Sequence, residues 1–417
     1  MAVVVLVAFA GVLLLASCSS DSSGGSESEV LRATLPPFPE AIPTPSPTNL
    51  PATPGDTPLR WGYDPSKFTG ERDGATQFTG LPPGYSIETY VTGLQQPTGI
   101  AFLPDGRMLV AEQKGSIRLV DEGRLLPKPF HRIAVHSPDP GDKVVELGLV
   151  GLTVDPNFKD NGYIYAYYSA SKPKRHTALA RIRVEDDKVI DEWEILEINE
   201  APSCCHISGS MRFAPDGTLF VTVGDHQKER ESQDKSNVLG SILRINRDGT
   251  VPKNNPFVHE DNTDPRIYAY GLRNPFDIAI DPKTGRMFAT ENGFSGQDAI
   301  IEVHPRANYG WPGYNLDVPY DQVEPPLLFY HAPTGPAGIE YYRGKALPAF
   351  EGTLLFCQFH RGGALHLIKA QPDGDVRDTI LATGCTSDVL TGPDGLIYFT
   401  DYVTGTIFRI TRDAHGG

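Results

Sequence analysis

The chain has 417 residues and a formal net charge of −15, from 37 Lys+Arg against 52 Asp+Glu. A chain this acidic is a poor candidate for binding nucleic acid through phosphate neutralisation. Hydrophobic residues make up 39%, while 42 Gly and 37 Pro together approach a fifth of the chain. This composition disfavours helical bundles and favours many short strands. The single long apolar run lies at the extreme N-terminus, which excludes a polytopic membrane protein.

The N-terminal segment has the pattern of a secretory signal. Residues 2–17 are almost entirely apolar, and LASC (15–18) resembles a bacterial lipobox whose Cys18 thiol accepts diacylglycerol. We therefore expect residues 1–18 to be a lipoprotein signal. The mature chain would be secreted across the bacterial cytoplasmic membrane and held at the cell surface or periplasmic face by its lipid alone. An uncleaved anchor helix and an ordinary signal peptide are the alternatives.

Residues 19–62 are predicted to be a disordered tether. The stretch 19–33 is rich in Ser, Gly and Glu, and the stretch 34–58 carries nine prolines. The first composition is typical of a flexible linker and the second of a stiff, polyproline-like spacer. Because neither can bury a core, we expect them to hold a globular domain away from the lipid surface.

From about residue 76 to residue 413 one pattern returns six times: an apolar strand, a turn and a second apolar strand. The turns begin near residues 104, 156, 215, 282, 343 and 393, about 50–65 residues apart. Pro-Asp-Gly, which recurs at these turns, suits a tight strand reversal. A third apolar segment often follows. Several strands per unit at this period predict an all-β, six-bladed β-propeller, with a pair of β-sandwiches as the alternative.

A propeller places the start of each first strand and the end of each second strand on one rim of its axial channel. The predicted starts lie near Gln96, Glu146, His206, Arg273, Thr334 and Ser387. The predicted ends lie near Glu112, Tyr168, Asp225, Glu291, Gln358 and Asp401. Residues far apart in the sequence therefore converge on one mouth, where we expect a polar pocket.

Three of these positions carry side chains suited to chemistry. His206 is the candidate general base, because an unperturbed imidazole titrates near pH 6.5, although a packing role is the alternative. Arg273 can stabilise developing negative charge or clamp a carboxylate, or it can form a salt bridge between blades. The run Glu291-Asn292-Gly293 offers the hard oxygen ligands that Ca²⁺ prefers, or is simply a turn.

Long segments of the chain resemble the soluble quinoprotein glucose dehydrogenase, or glucose/sorbosone dehydrogenase, family over residues 80–413. They are PTGIAFLPDGRMLVAEQKGSIRLV, GLVGLTVDPNFKDNGYIYAYYSA, HISGSMRFAPDGTLFVTVGD, SQDKSNVLGSILRINRDGTVPKNNPFV and YGLRNPFDIAIDPKTGRMFATENG, followed by ANYGWPGY. The resemblance implies a six-bladed propeller. It also implies an enzyme that uses pyrroloquinoline quinone (PQQ) and Ca²⁺ to oxidise a sugar or related alcohol, with electrons passed to an external acceptor.

The resemblance also implies roles for individual residues. His206 matches the general base, Arg273 a residue lying against the quinone, Asn274 a cofactor contact, and Glu146 a residue on the substrate side. The loop matched to Ca²⁺ binding through backbone carbonyls comprises Glu291, Asn292, Gly293 and Phe294.

The chain departs from the family where the PQQ carboxylates are gripped. The family uses a Lys and two Arg, and these positions fall near His360, Cys385 and Ser387 in this sequence. His360 and the adjacent Arg361 are the candidate cofactor contacts that remain. The missing arginines favour an alternative, a non-catalytic propeller that binds a glycan or protein partner. A Ca²⁺-dependent lactonase and a Cys/His-metal oxidoreductase are further alternatives on the same scaffold.

Four cysteines besides Cys18 map to the predicted rim: Cys204, Cys205, Cys357 and Cys385. In an oxidising compartment they allow three disulfide connectivities. Cys357 and Cys385 come from neighbouring blades, so a bridge between them is geometrically easy and would leave Cys204–Cys205 as a vicinal disulfide. A metal or redox centre that includes His206 or His360, and free thiols, are the alternatives.

Overall fold

The computed structural model describes residues 77–78, 80–136, 146–199, 204–294, 297–312, 322–330, 333–360, 362–370 and 376–413. The predicted lipoprotein signal with Cys18, the predicted tether and Arg361 lie outside these residues. Regular structure in the described part is almost entirely β. The exceptions are helix α1 (Phe158–Asn161) and the 3-10 segments Glu229–Gln233 and Pro348–Phe350. No helix among these residues is long and apolar enough to cross a membrane.

The strands are numbered in chain order. They are β1 (Gln77–Phe78), β2 (Tyr85–Val91), β3 (Pro97–Phe102), β4 (Met108–Glu112), β5 (Ser116–Asp121), β6 (Arg124–Leu125), β7 (His131–Arg132), β8 (Leu149–Val154), β9 (Tyr163–Ala170), β10 (His176–Glu185), β11 (Lys188–Ile198), β12 (Ser208–Phe213), β13 (Leu219–Val223), β14 (Ser241–Ile245), β15 (Ile267–Tyr270), β16 (Pro275–Ile280), β17 (Met287–Glu291), β18 (Ala299–Glu302), β19 (Leu328–Phe329), β20 (Pro336–Tyr342), β21 (Thr353–Gln358), β22 (Ala364–Ala370), β23 (Val376–Thr383), β24 (Val389–Thr391), β25 (Ile397–Asp401) and β26 (Thr406–Arg412).

These strands form six blades. Blades one to five are β3–β7, β8–β11, β12–β15, β16–β19 and β20–β23, with β1 added in parallel to β23 at the edge of blade five, and blade six combines β24–β26 with β2. Strand β2 pairs antiparallel with β26, so the two ends of the domain meet in one sheet. The first strand of each blade contacts that of the next, and β24 contacts β3 to complete the ring. The six-bladed propeller predicted from the repeats is confirmed.

One apolar cluster fills each of the six interfaces between neighbouring blades. Successive residues of one strand point to opposite faces of the sheet. Leu109 of β4 therefore packs towards blade two, while Val110 packs towards blade six. Because both faces of a blade are covered, the second strands β4, β13, β17 and β25 are buried along their whole length. That double burial explains why they read as continuous apolar runs rather than as alternating ones.

Glycines allow the first strands to approach one another around the axis. A Cβ atom on Gly151 of β8 would lie 2.0 Å from the carbonyl oxygen of Gly209 in β12. A Cβ on Gly338 of β20 would lie 2.5 Å from the Asp388 Cα atom, next to β24. No larger residue fits at these two positions without moving backbone.

Buried carboxylates tie neighbouring blades together near the axis. Asp388 Oδ2 accepts a 2.8 Å hydrogen bond from the Ile100 amide in blade one, and Asp277 Oδ2 accepts a 2.7 Å bond from the Ile339 amide in blade five. The Arg212 guanidinium lies between them, 3.3 Å from Asp277 and 3.9 Å from Asp388. Burial raises the pKa of Asp388 to about 7, with the nearby Asp277 acting in the same direction.

Candidate functional site

The axial mouth brings together most of the residues singled out from the sequence. His206 precedes β12, Arg273 and Asn274 precede β16, and Glu291 ends β17. Glu146, which precedes β8, joins them through side-chain hydrogen bonds to the His206 amide and to Asn274. Residues from three blades thus form one connected polar network, as the rim geometry of a propeller predicts.

His206 is held by its backbone as well as by its side chain. Its φ of 62° and the φ of 56° at Ser208 are left-handed conformations that residues other than glycine rarely adopt. The His206 amide donates to Glu146 Oε2 at 2.8 Å, and its carbonyl accepts from the His226 amide at 3.3 Å. A Cβ on Gly224 would lie only 2.0 Å from the His206 carbonyl oxygen. Strained backbone held by its surroundings in this way is a common feature of functional sites.

The His206 imidazole is paired with the carboxylate of Asp225. Nδ1 lies 2.6 Å from Asp225 Oδ1, and the Asp225 side chain is fully buried while 13% of the His206 side chain is exposed. Asp225 Oδ1 also accepts from the Gln227 amide at 2.7 Å, and Oδ2 accepts from Trp311 Nε1 at 2.9 Å. Because Nδ1 is engaged with the carboxylate, Nε2 is the nitrogen left to exchange a proton with a ligand.

Sequence reasoning placed Asp225 on the rim but gave it no chemical role, and it gave none to Trp311. The signal for Asp225 was available, since the start of strand one and the end of strand two in one blade lie side by side across an antiparallel pair. Trp311 sits in the long connection between β18 and β19, where no repeat pattern assigns a position.

Glu146 and Asn274 link blades two, three and four. Asn274 Nδ2 donates to Glu146 Oε2 at 3.1 Å, and Asn274 Oδ1 accepts from the Ser208 hydroxyl at 2.8 Å. Both side chains are therefore part of the scaffold that holds the His206 turn. Asn274 Nδ2 also lies 3.3 Å from Glu146 Oε1, so it contacts both oxygens of that carboxylate.

Arg273 has its guanidinium fixed at the mouth. Its Nη1 donates to the Asn292 carbonyl at 2.9 Å, and its Cζ atom lies 5.6 Å from the centre of the Trp311 ring. This distance is within the range of a cation–π contact. The Trp311 indole thus contacts both Arg273 and Asp225, and it forms a wall that joins the cation to the His206–Asp225 pair.

Glu291 turns its carboxylate into the protein. Oε1 accepts from the Arg273 amide at 2.7 Å and from the Asn274 amide at 3.2 Å, whereas Oε2 is buried without a hydrogen-bond partner. Burial raises the pKa of Glu291 to about 8, against the two backbone hydrogen bonds and the charge of Arg273. A buried carboxylate oxygen without a donor is the feature that a hard cation would satisfy.

The rest of the predicted Ca²⁺ loop offers fewer oxygens. The Asn292 carbonyl accepts from Arg273, the Gly293 amide donates to Asp298 at 3.1 Å, and the Phe294 ring is 46% exposed and lies 6.2 Å from that of Trp311. Within the described ranges, no group of three or more His, Cys, Asp or Glu side chains is arranged to hold a metal. Glu291 Oε2 is therefore the ligand that the described side chains offer to Ca²⁺.

The three family positions for the PQQ carboxylates differ in their surroundings. His360 lies at the mouth against Gly335, where a Cβ would come within 2.6 Å of its ring. Cys385 is buried in a disulfide, and the Ser387 hydroxyl donates to the Pro97 carbonyl at 2.8 Å. His360 is thus the one described residue of the three with a side chain suited to an anionic ligand.

The structure pairs Cys357 with Cys385 and Cys204 with Cys205. The Cα atoms of Cys357 and Cys385 are 4.8 Å apart, and the bond joins β21 of blade five to the segment that leads into blade six. This is the connectivity that the positions in neighbouring blades favoured. Because all four cysteines of the described residues are bridged, they do not form the metal centre that the sequence left open.

A second histidine, His226, packs beside the site and was not singled out from the sequence. Burial lowers its pKa to about 4, with His206 adding to the effect and Asp225 opposing it. A His whose folded-state pKa lies below its unfolded value near 6.5 stabilises the fold above pH 6.5. That contribution is lost as the pH falls towards 4, because the unfolded chain then binds the extra proton.

Replacing His226 with Asn should therefore flatten the acid limb of the stability profile. Relative to His226→Asn, the wild-type free energy of unfolding should fall by roughly 3 kcal/mol between pH 7 and pH 4, since one pKa unit corresponds to about 1.4 kcal/mol. Urea unfolding at several pH values measures the difference. His259→Asn, at an exposed position, is the control that should keep the wild-type slope, and an unchanged slope in His226→Asn would contradict the assignment.

The fold and the site together define a six-bladed propeller with a histidine–aspartate pair and a fixed guanidinium at its axial mouth. The family model of Glucose / Sorbosone dehydrogenase matches residues 94–409, and the chain belongs to this family. The resemblance seen in the sequence is thereby confirmed.

Two sequence relatives and one solved structure show what this chain is similar to. The aldose sugar dehydrogenase YliI of Escherichia coli is 26% identical over 359 residues, which cover 79% of this chain and 94% of that protein. The quinoprotein glucose dehydrogenase B of Acinetobacter calcoaceticus is 26% identical over 268 residues, which cover 57% of this chain and 55% of that protein. The crystal structure of the soluble aldose sugar dehydrogenase of E. coli in its apo-form superposes with a TM-score of 0.67 at 25% identity, covering 79% of this chain and 99% of that one.

Proposed function

We propose that this chain is a PQQ-dependent dehydrogenase that oxidises a sugar or related alcohol and passes the electrons to an external acceptor. The observation that carries the proposal is the His206–Asp225 pair, which lies in one hydrogen-bonded network with Arg273 at the propeller mouth. Membership of the glucose/sorbosone dehydrogenase family supports the reaction class.

His206 acts as the general base in this proposal. Asp225 fixes the imidazole with Nδ1 protonated, so that Nε2 faces the ligand as an acceptor for the substrate hydroxyl proton. Once Nε2 takes that proton, the buried carboxylate stabilises the imidazolium. Asp225 can do both because Trp311 and the Gln227 amide hold it in place.

The residues at the mouth fit the reacting end of PQQ. When bound, PQQ supplies the two-electron acceptor for the hydrogen that leaves the substrate carbon as hydride. Arg273 would hold the quinone oxygens and stabilise negative charge there, and Asn274, matched to a cofactor contact, would line the same end. His360, with Arg361 beside it in the sequence, would hold the carboxylates. Glu291 Oε2 and backbone carbonyls of the 291–294 loop would hold Ca²⁺.

The second candidate function is a propeller that binds a glycan or protein partner at this mouth without chemistry. The burial and bonding of Cys385 and Ser387 favour it, because neither side chain can replace an arginine at a PQQ carboxylate. Each charge-assisted hydrogen bond that is lost removes about 1.5–3 kcal/mol of binding free energy.

Calorimetric titration of the purified chain with PQQ, with and without Ca²⁺, separates the two functions. We expect a dissociation constant in the micromolar range or tighter that weakens when Ca²⁺ is removed by a chelator. The loaded protein should also reduce an artificial dye in the presence of aldoses. No heat of binding with PQQ, together with no dye reduction across a panel of sugars and alcohols, would reject the dehydrogenase in favour of the binding propeller.

We also propose that the protein is exported and anchored through Cys18 by lipid. The LASC sequence carries this proposal, and the two disulfides support an oxidising compartment. An external electron acceptor would meet the propeller in the same compartment.

A further inference from the structure

The Cys204–Cys205 disulfide lies directly before His206. The two sulfurs close a small ring that includes the peptide bond between the two residues, and the next residue is the proposed base. Both cysteines are partly exposed, whereas Cys357 and Cys385 are 0% exposed. An external thiol can therefore reach the first disulfide in the folded protein but not the second.

The segment that carries this ring is bonded to the residues that position His206. The Cys204 carbonyl accepts from the Glu146 amide at 3.0 Å, and the Glu146 carboxylate in turn accepts from the His206 amide at 2.8 Å. The Cys204 sulfur lies 3.5 Å from Gln227 Oε1, and the Gln227 amide donates to Asp225. The ring thus contacts Glu146, which bonds the His206 backbone, and Gln227, which bonds the carboxylate paired with the His206 imidazole.

The His206 turn needs such support because its backbone is strained. His206 and Ser208 on one side, and His226 and Gln227 facing them, all have φ between 50° and 65°. A left-handed conformation at a residue other than glycine is energetically unfavourable and persists where surrounding contacts impose it. A ring through residues 204 and 205 removes backbone freedom immediately before the strained pair, so it restricts the relaxations available to His206.

We propose that Cys204–Cys205 is a thiol–disulfide exchange site that controls the position of His206, with the disulfide form competent and the dithiol form impaired. Both cysteines are positioning residues in this scheme. The inference rests on the proposed function of His206 as base. An external dithiol is the co-reactant: its thiolate attacks one protein sulfur, its second thiol displaces the protein from the mixed disulfide, and two protein thiols and one external disulfide result. The protein gains two electrons and two protons, which the dithiol loses.

Reduction also creates a new hydrogen-bond donor. A disulfide sulfur carries no hydrogen, whereas a Cys204 thiol lies within reach of Gln227 Oε1. Such a bond would draw the freed residue towards Gln227. The dithiol form is therefore expected to have its own geometry at the base rather than only greater freedom.

The test measures three quantities on the same full-length sample: the labelling of the cysteine thiols, the NMR signals of His206, and kcat. Limited treatment with dithiothreitol, alkylation and peptide mass analysis should label Cys204 and Cys205 while Cys357 and Cys385 stay bridged. Histidine-selective nitrogen NMR should show the His206 imidazole signals shifting, and kcat should fall about tenfold or more with KM changed less, since small misplacements of a reacting group are costly. Reoxidation should restore all three.

The Cys204→Ser/Cys205→Ser variant is the matched control. It should reproduce the reduced NMR signals and the low kcat, and it should no longer respond to dithiothreitol, with a circular dichroism melt showing that the propeller is folded. Labelling of Cys204 and Cys205 without any change in the His206 signals would overturn the inference. If PQQ fails to support turnover, the proposed function fails, but the labelling pattern and the His206 signals still decide whether the exchange site controls the histidine.

Discussion

Replacing His206 with Asn is expected to lower kcat for aldose oxidation by about 10²–10⁴-fold, the range typical of a lost general base. Asn tolerates the left-handed backbone that His206 adopts, so the turn should persist. Its amide nitrogen can still donate to Asp225, but it has no nitrogen that can accept a proton from the substrate. Steady-state dye reduction with PQQ-loaded protein measures the loss.

The same variant separates catalysis from binding. PQQ affinity should change little, because His206 bonds to Asp225 and Glu146 rather than to the residues assigned to the cofactor. The control variant His259→Asn changes a histidine at an exposed position and should keep the wild-type kcat. A kcat in His206→Asn within threefold of wild type would show that another group accepts the proton.

The propeller could be predicted because its local and global signals agree. Pro-Asp-Gly at residues 104–106 marks a reversal, and the structure has the expected turn there, with the Leu103 amide bonded to the Arg107 carbonyl at 2.8 Å. The buried second strands recur along the chain, and this repeat predicted the number of blades. The closure by β2 was not predicted, because Tyr85–Val91 is mostly exposed at the edge of its sheet and belongs to no repeat.

The hydrogen-bond partners within the site were harder to predict, because residues at the end of the second strand form different bonds in different blades. Glu112 and Glu291 each accept from a backbone amide at the start of the first strand of their own blade, at 2.8 and 2.7 Å. In blade three the residue paired with the start of the first strand is Val223, which has no carboxylate, and Asp225, two residues further along, bonds the His206 imidazole instead. The His206 amide then goes to Glu146 of the neighbouring blade. Alignment of the repeats therefore places these residues on the rim, but it does not show which residue each of them bonds.

Asp225→Asn is expected to cost almost as much activity as loss of the base itself, about 10²–10³-fold in kcat. Asp225 accepts from three donors, His206 Nδ1, the Gln227 amide and Trp311 Nε1, with two oxygens. An amide has one oxygen and one donor nitrogen, so in either orientation it confronts at least one of these donors with another donor. It also removes the buried negative charge that stabilises the imidazolium. Steady-state kinetics measure the loss of kcat, and unfolding by urea measures the loss of stability from the opposed donors.

Trp311→Phe tests whether the effect comes from charge or from orientation. This variant keeps the Asp225 charge and an aromatic ring beneath Arg273 but removes the donor to Asp225 Oδ2. If orientation by Trp311 contributes a modest share, kcat should fall only about tenfold, in line with the loss of one hydrogen bond to a charged group. The downfield proton between His206 and Asp225 should remain visible by NMR in Trp311→Phe and disappear in Asp225→Asn. Equal losses in the two variants would mean that orientation rather than the carboxylate charge dominates, because the charge is the feature that Trp311→Phe preserves.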